Sequence, residues 1–488
     1  MTKNDRRVKL CAAIAAALYL HGAATVRAAP LDLTACVRLA LAQNPDVQDA
    51  VDATLSALIG RDVPLADYHV KAVPSVSGGL QGGNNTNQRY DLDLTRKLFW
   101  TGTQIGVSGG TSVYSSVPQT SVPYLSQTRV TLTQPLWQGR TRLENSERVD
   151  DADRRIGAAK HTLAGTREEL ILQVTRGFYD VVRAEELVRV ADGSLARVAD
   201  LDKEARAKLS MGAVSKMDVF RTELQTARLK NALVEQQARR ETALDQLRGL
   251  LGLGDVALEV DAGASTDGIA ARSQLAPAAG AGVEQTIEEA IARRPEVAEA
   301  EEEVRDAERK ALLARYKIWP AIDLVGSYAR QGIGNDLEAS THLKRTEWLV
   351  GLSSTTPLDR TEERVAASQA DIQLRGRERR YRAVREQTAR QVRDAWRELE
   401  RTRAARTLAA EIVEQAQNQA ELARFRYEKG VTDNFDLVQA ESQLAEAQSG
   451  RVLAAIEEIV AAAQLRRAAG TLGDAFGISS QPPDERLR

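Results

Sequence analysis

From Thr141 to Lys208, and again from Arg360 to Glu428, apolar residues return every three or four positions and no proline intervenes. Ile171, Val174, Phe178 and Val181 carry this period, with Val188 a heptad further on, and the spacing predicts an amphipathic helix. Each run holds about 68 residues, ~100 Å of helix at ~1.5 Å per residue, and a helix so long needs a partner along its length. Between Pro74 and Pro135 the period falls to two. Tyr90, Leu92 and Leu94 alternate with Asp91, Asp93 and Thr95; Ile105, Val107 and Val113 share a parity; Val130 and Leu132 alternate with Arg129, Thr131 and Thr133. A second such block lies between Pro320 and Pro357, where Ile322, Leu324 and Tyr328 share one parity and Trp348, Val350 and Leu352 another. Alternation with a polar opposite face fits a barrel that is apolar outside and wet inside. Phe99, Trp100, Trp137, Trp319 and Trp348 fall near segment ends, where an interfacial aromatic girdle is needed.

Shorter helical runs flank the long ones. They cover Leu31 to about Lys71, Asp218 to Leu250, Val283 to Lys317 and Asp436 to Ala469. Two short runs together match one long run in length. The pattern occurs twice. Ala205, Arg206, Gly212, Asp218, Glu223, Gln225 and Ala227 reappear 218 positions on as Ala423, Arg424, Gly430, Asp436, Glu441, Gln443 and Ala445. Asn44-Pro45-Asp46-Val47 corresponds to Arg294-Pro295-Glu296-Val297 at a displacement of 250. Most of the difference is lost inside the strand block. The first half thus holds an extra hairpin, expected over Arg89 to Val113 with its turn at Thr101-Gly102. This is a duplicated unit. Its first copy runs over 30–260, with strands in 73–136, a long helix over 141–208 and a helix over 218–250. A linker over 261–282, rich in Ala, Gly and Ser, leads to the second copy, 283–473, with strands in 320–357 and helices over 360–428 and 436–469. A loose tail, 474–488, is expected to follow.

The N-terminus differs from the rest. Lys3, Arg6, Arg7 and Lys9 precede LCAAIAAALYL and then HGAATVRAAP, the layout of a secretory signal over 1–29. No later stretch approaches the ~20 apolar residues of a membrane helix. Leu33-Thr34-Ala35-Cys36 has the look of a lipoprotein box, but Arg27, Pro30 and Asp32 separate it from the apolar run. Cys36 is expected as a buried helix residue. A net charge of −2 offers no basic excess for nucleic acid. No phosphate loop, HExxH or Cys-x-x-Cys is present, and His69, His161 and His342 are far apart. These residues suggest no enzyme, metal or cofactor.

The order, duplication and spacing of these segments resemble the TolC-type outer-membrane channel family. LDLTACVRLALAQNPDVQDA (Leu31 to Ala50) is similar to that family's opening helix. TQPLWQGRTRLENSE (Thr133 to Glu147) and EWLVGLSSTTPLDRTEERV (Glu347 to Val365) resemble its strand-to-helix junctions, and the two glycine turns resemble its periplasmic tip. The resemblance spans Leu31 to about Gly473. It implies a mainly α fold with a membrane β-barrel portion: a periplasmic α-barrel plus outer-membrane strands, assembled as a homotrimer. It implies an exit duct in the outer membrane, reaching into the periplasm, for efflux or type I secretion. Its partners would be outer-membrane lipid, a periplasmic adaptor (membrane fusion) protein and, through that adaptor, an inner-membrane pump or ABC exporter.

At the closed end the resemblance places Gly212, Ala213, Val214, Ser215 and Asp218 with Gly430, Val431, Thr432, Asp433 and Asp436, contacting the adaptor and gating the pore. Asp436 matches a family gate position. The family often has a further Asp three residues later, where this chain has Gln439, which puts a double acidic ring in doubt. The family has two strands per half, so the extra hairpin is a departure. Helix punctuation alone also accounts for these turns. Gly212 and Gly430 suit left-handed helix ends, and Ser215 and Asp433 suit N-caps with an acid three residues on. The competing function class is a periplasmic coiled-coil adaptor whose strands form a small soluble domain.

Overall fold

A computed structural model describes residues 31–81, 85–115, 124–212, 214–254, 258, 260 and 282–478. The expected leader, Ala213 and the linker up to 281 lie outside them. In chain order the elements are α1 (Leu33–Gln43), α2 (Pro45–Gly60), α3 (Asp62–Leu65), β1 (Lys71–Gln81), β2 (Asn85–Lys97), β3 (Gln104–Ser115) and β4 (Tyr124–Pro135). Next come α4 (Arg142–Ser210), α5 (Lys216–Leu251), α6 (Val283–Arg293), α7 (Pro295–Tyr316), β5 (Asp323–Gly334), α8 (Leu337–Thr341) and β6 (Arg345–Ser353). The chain ends with α9 (Thr361–Glu428), α10 (Asn434–Ala468) and a short 3-10 turn, Gly473–Phe476. That turn buries Phe476, within the span expected as a loose tail, and residues 479–488 of that span lie outside the described residues. Pro45 and Pro295 open α2 and α7 in the first turn, where a missing N–H costs nothing.

The residues form two compact units. A sheet-bearing unit takes residues 41–173, 273–408 and 457–488; a helical unit takes 1–40, 174–272 and 409–456. The duplication is visible in burial along the long helices. Leu170, Val174, Val181, Val198 and Ala205 of α4 are buried, and so are Thr388, Val392, Leu399, Ala416 and Ala423 of α9, each 218 positions on. From Val413 through Ala416, Ala420 and Ala423 to Tyr427 the buried α9 positions keep strict three-and-four spacing, the signature of a left-handed coiled-coil seam.

The sheet has six antiparallel strands in sequence order, β1 to β6. The extra hairpin is there. β2 pairs with β3 from Lys97 opposite Gln104 to Arg89 opposite Ser112, turning at Gly102 with φ +67°. Four strands therefore come from the first half and two from the second, in one continuous sheet. Register sorts the faces. Leu94, Val107, Val130, Tyr328 and Trp348 stand directly opposite one another across five strands. Ile105, Leu132, Gly326 and Val350 form the next row. The other face carries Asp93, Ser108, Arg129, Ala329 and Glu347 in one row, and Asp91, Gly110, Gln127, Gln331 and Arg345 in another. The apolar rows are exposed, Trp348 at 76% and Val350 at 68%. Trp348 is therefore not at a strand end, as its position in the sequence suggested, but mid-strand on the apolar face. Trp100, Trp137 and Trp319 do sit at strand ends and are exposed.

At the junction with α4, the Phe99 ring meets Tyr68 and Trp100 edge-on, with centroids 5.0 Å and 5.7 Å away. The Arg142 guanidinium lies 4.6 Å from the Trp100 ring centroid, a cation–π contact. Thr141 and Glu144 cap α4 reciprocally, with Glu144 N donating to Thr141 Oγ1 at 3.3 Å and Thr141 N to Glu144 Oε2 at 3.2 Å. Beyond β5, α8 folds back onto the sheet. A side chain at Gly332 would strike the Ser340 carbonyl at 2.1 Å, so only glycine permits that approach.

One buried acid stands out in the sheet-bearing unit. Glu168 of α4 is 8% exposed and its Oε1 has no hydrogen-bond partner. Burial, reinforced by the charge of Glu296, pushes its pKa up to about 7, against the pull of Arg467 and Arg294. A carboxyl raised on folding binds a proton that the unfolded chain releases. Stability is therefore highest at low pH and declines as pH rises from about 4.5 to about 7, by on the order of 3 kcal/mol. Glu168→Gln should remove that decline and raise the thermal midpoint at pH 8 relative to the wild-type chain. Equal midpoints for the two proteins across that range, in thermal melts, would contradict the assignment.

Cys36 is fully buried in α1 of the helical unit. Burial, with Asp32 nearby, pushes its thiol up to about 11, so it is inert as a nucleophile. Among the described residues no cluster of metal ligands occurs and no helix is long and apolar enough to cross a membrane.

Candidate functional site at the helical turns

Both glycine turns lie in the helical unit, and local chemistry explains each. α4 ends at Gly212, φ +65°, and α9 at Gly430, φ +70°. The second turn is a Schellman closure, in which Gly430 N donates to Tyr427 O at 3.1 Å and Val431 N to Arg426 O at 3.0 Å. Such ends need a left-handed residue, which glycine adopts without steric cost.

The two helix starts differ. Ser215 and Asp218 form a full capping box at α5: Asp218 N donates to Ser215 Oγ at 3.3 Å, and Ser215 N and Oγ donate to Asp218 Oδ2 at 3.0 Å and 2.7 Å. The Asp218 carboxylate is thus committed to its own helix. At α10, Asp433 Oδ1 accepts from Phe435 N at 3.1 Å, but Asp436 does not reciprocate and remains exposed. A serine hydroxyl can donate to the acid three residues on; a carboxylate cannot, and repels it.

The structure brings the two turns together through residues the sequence had not singled out. Asn434 is 1% exposed, and its Nδ2 donates to the Asp218 carbonyl at 2.7 Å. Arg221 Nη1 lies 3.1 Å from Asp433 Oδ2 and 3.5 Å from Asp218 Oδ1, while its guanidinium carbon sits 5.5 Å from the Phe435 ring centroid. Lys208 Nζ stands 4.0 Å from the centroid of the buried Tyr427 ring. Higher on the same helices, Arg197 Nε donates to the buried carboxylate of Glu441 at 2.7 Å. Only Glu441 left a trace in the sequence, as the repeat of Glu223. Leu201, Ala416, Ala420, Ala423, Tyr427, Leu437, Ala440 and Leu444 fill the space between the helices. Around the turns Met211, Met217 and Val431 are exposed, Val431 at 71%.

Residues 286–471 match the family model described as outer membrane efflux protein. A 109-residue stretch is 30% identical to the cobalt-zinc-cadmium resistance protein CzcC of Cupriavidus metallidurans, spanning 22% of this chain but only 26% of that protein. The crystal structure of CusC superposes with a TM-score of 0.68 at 16% identity, covering 92% of this chain and 95% of its own. The outer membrane channel CmeC of Campylobacter jejuni does so with a TM-score of 0.65 at 15% identity, covering 93% and 90%. The fold is that of the TolC-type outer-membrane channels.

Two helix faces of the helical unit stay uncovered by the described residues. On α5, Met217, Phe220, Leu224, Ala227, Asn231, Val234 and Ala238 follow one another at alternating spacings of three and four, and every one is exposed. On α9, Ile412, Gln415, Gln419 and Leu422 do the same, two glutamines between two large apolar residues, beside the buried seam of that helix. Three-and-four spacing is the pattern of a helix seam, and here none of the described elements fills it.

Proposed function

We propose that this chain is one protomer of a homotrimeric exit duct of the outer membrane, reaching into the periplasm and passing solute passively for a tripartite efflux pump. The observation that carries the proposal is a set of four unfilled boundaries. β1 and β6 each pair on one side only, and α5 and α9 each present an empty seam. Open sheet edges are not tolerated in lipid, and apolar seams need neighbours. One boundary of each kind belongs to each half, so the first-half side of one copy faces the second-half side of the next. Such head-to-tail contacts close into a ring.

Three six-stranded sheets would supply eighteen strands, the size at which a barrel leaves an aqueous channel. Strands of 9 to 13 residues reach across a bilayer when tilted, where ~9–11 are needed. The rows ending at Trp348 and Val350 would face lipid, and the rows holding Asp91, Asp93, Arg129 and Glu347 the lumen. A soluble adaptor domain would have to cover those apolar rows, and no described element does. The descriptions of the similar proteins, an efflux protein and a resistance protein, favour efflux over secretion.

The turns at Gly212 and Gly430 would close the periplasmic end. Their exposed Met211 and Val431 offer apolar contact to an adaptor, through which an inner-membrane pump supplies the energy. Asp436 would form the acidic ring, because three like carboxylates at a constriction attract cations; Asp218 would only cap its helix. In planar bilayers Asp436→Asn should lower cation preference and relieve block by divalent cations. Asp218→Asn should leave selectivity unchanged and cost ~1 kcal/mol of local stability. Absence of channels, or selectivity indifferent to Asp436→Asn, would refute the proposal.

A further inference from the structure

In the sheet-bearing unit α7 touches both long helices. Toward α4 it places Glu302 Oε1 3.4 Å from His161 Nε2, Asp306 Oδ2 3.4 Å from Arg154 Nε and Arg309 Nη2 2.6 Å from Asp151 Oδ1. Toward α9 it places Glu303 2.9 Å from Arg377 and Arg315 2.9 Å from Asp371. Its counterpart α2, 250 positions earlier, reaches α4 through Arg61, 2.6 Å from Asp153, and through Thr54 Oγ1, 3.4 Å from the Ala159 carbonyl. Asp153 and Asp371 are 218 positions apart, so the α2–α4 contact repeats the α7–α9 contact within each half. The contact between halves, α7 on α4, has no repeat among the described residues.

We infer that this missing contact is made between copies, and that the duplication specifies its residues. The inference rests on the trimeric reading above and deepens it. Subtracting 250 from the α7 side and adding 218 to the α4 side carries Glu302–His161 to Asp52 and Arg379. It likewise carries Asp306–Arg154 to Ser56 and Ile372, and Arg309–Asp151 to Ile59 and Gln369. The chain was not constrained within itself to make the first of these pairs complementary, yet it is; the other two each set an apolar residue against a polar one, with Ile59 and Ile372 one helical turn apart across the contact. Asp52 and Arg379 are opposite charges, both exposed and without an ion-pair partner among the described residues. Ile59 is 70% exposed and Ile372 56%, two large apolar side chains on the projected contact. The occupant of the open face of α2 is therefore α9 of a second copy, with Asp52 against Arg379 and Ile59 one turn from Ile372.

The test uses the full chain in detergent micelles and reads covalent linkage and native mass together. Asp52→Cys combined with Arg379→Cys, treated with a short bifunctional maleimide, should give a ladder ending at three linked chains. Each single variant should stay unlinked, since Cys36 is buried. A mixture of Asp52→Cys chains with Arg379→Cys chains should give linked pairs. Asp52→Arg should reduce the assembled fraction several-fold, and Arg379→Asp added to it should restore assembly. Trimers by native mass with no linkage in the double variant would overturn this interface while leaving the trimeric reading intact. Monomers by native mass in the wild-type chain would overturn both.

Discussion

Leu224→Asp, or Leu422→Asp, is expected to convert the assembled protein to monomers without changing its helix content. Both residues lie in empty seams and are half exposed, at 54% and 50%. In the isolated chain the substitutions therefore fall among surface changes, within about 0.5 kcal/mol. In a ring each seam is filled by a neighbour, and an unpaired carboxylate there costs about 3–5 kcal/mol. At 1.4 kcal/mol per factor of ten, that is a loss of more than ~100-fold at each of three interfaces. Size and far-UV circular dichroism, measured on one sample, separate dissociation from unfolding. Retention of the assembled size in both variants would remove the seams as interfaces.

The second large effect concerns the closed end. Arg221→Ala together with Asn434→Ala should raise single-channel open probability about ten-fold. The Asn434 amide is buried and bonds the Asp218 carbonyl, a contribution of about 1 kcal/mol. Arg221 to Asp433 is exposed at both ends and adds less than about 1 kcal/mol. Their sum, about 1–2 kcal/mol, moves a closed-to-open equilibrium by roughly one decade. These are links between turns of the same chain, so assembly should persist. Unchanged open probability in an intact trimer would show that the turns are held by something else.

Much of the architecture was legible because prolines and glycines punctuate it. Pro45, Pro295, Gly212 and Gly430 fix helix boundaries by backbone geometry alone, and two displacements, 250 and 218, expose the duplication. The period-two alternation marked five of the six strands, β2 to β6, including the extra hairpin, while β1 carried no alternation of its own. Their order in one sheet was not readable, since pairing of β4 with β5 joins residues nearly two hundred positions apart. Trp348 was misplaced because aromatic position along a segment does not report strand ends that register decides. At the turns, Asp218 and Asp436 looked alike by count from glycine. The difference lies in Ser215 against Asp433, a donor against a repelling carboxylate, and that distinction could have been drawn from the residues. Asn434 and Arg221 could not have been found so, because their partners come from the other half of the chain. The same holds for Glu168, whose neighbouring charges Glu296 and Arg467 come from α7 and α10.

All of this depends on neighbouring copies completing walls that one copy leaves unfinished. Native mass spectrometry of the purified full chain, released gently from detergent, tests it most directly. The account predicts a single species of three chains; a compact, water-soluble monomer that needs no detergent would contradict it.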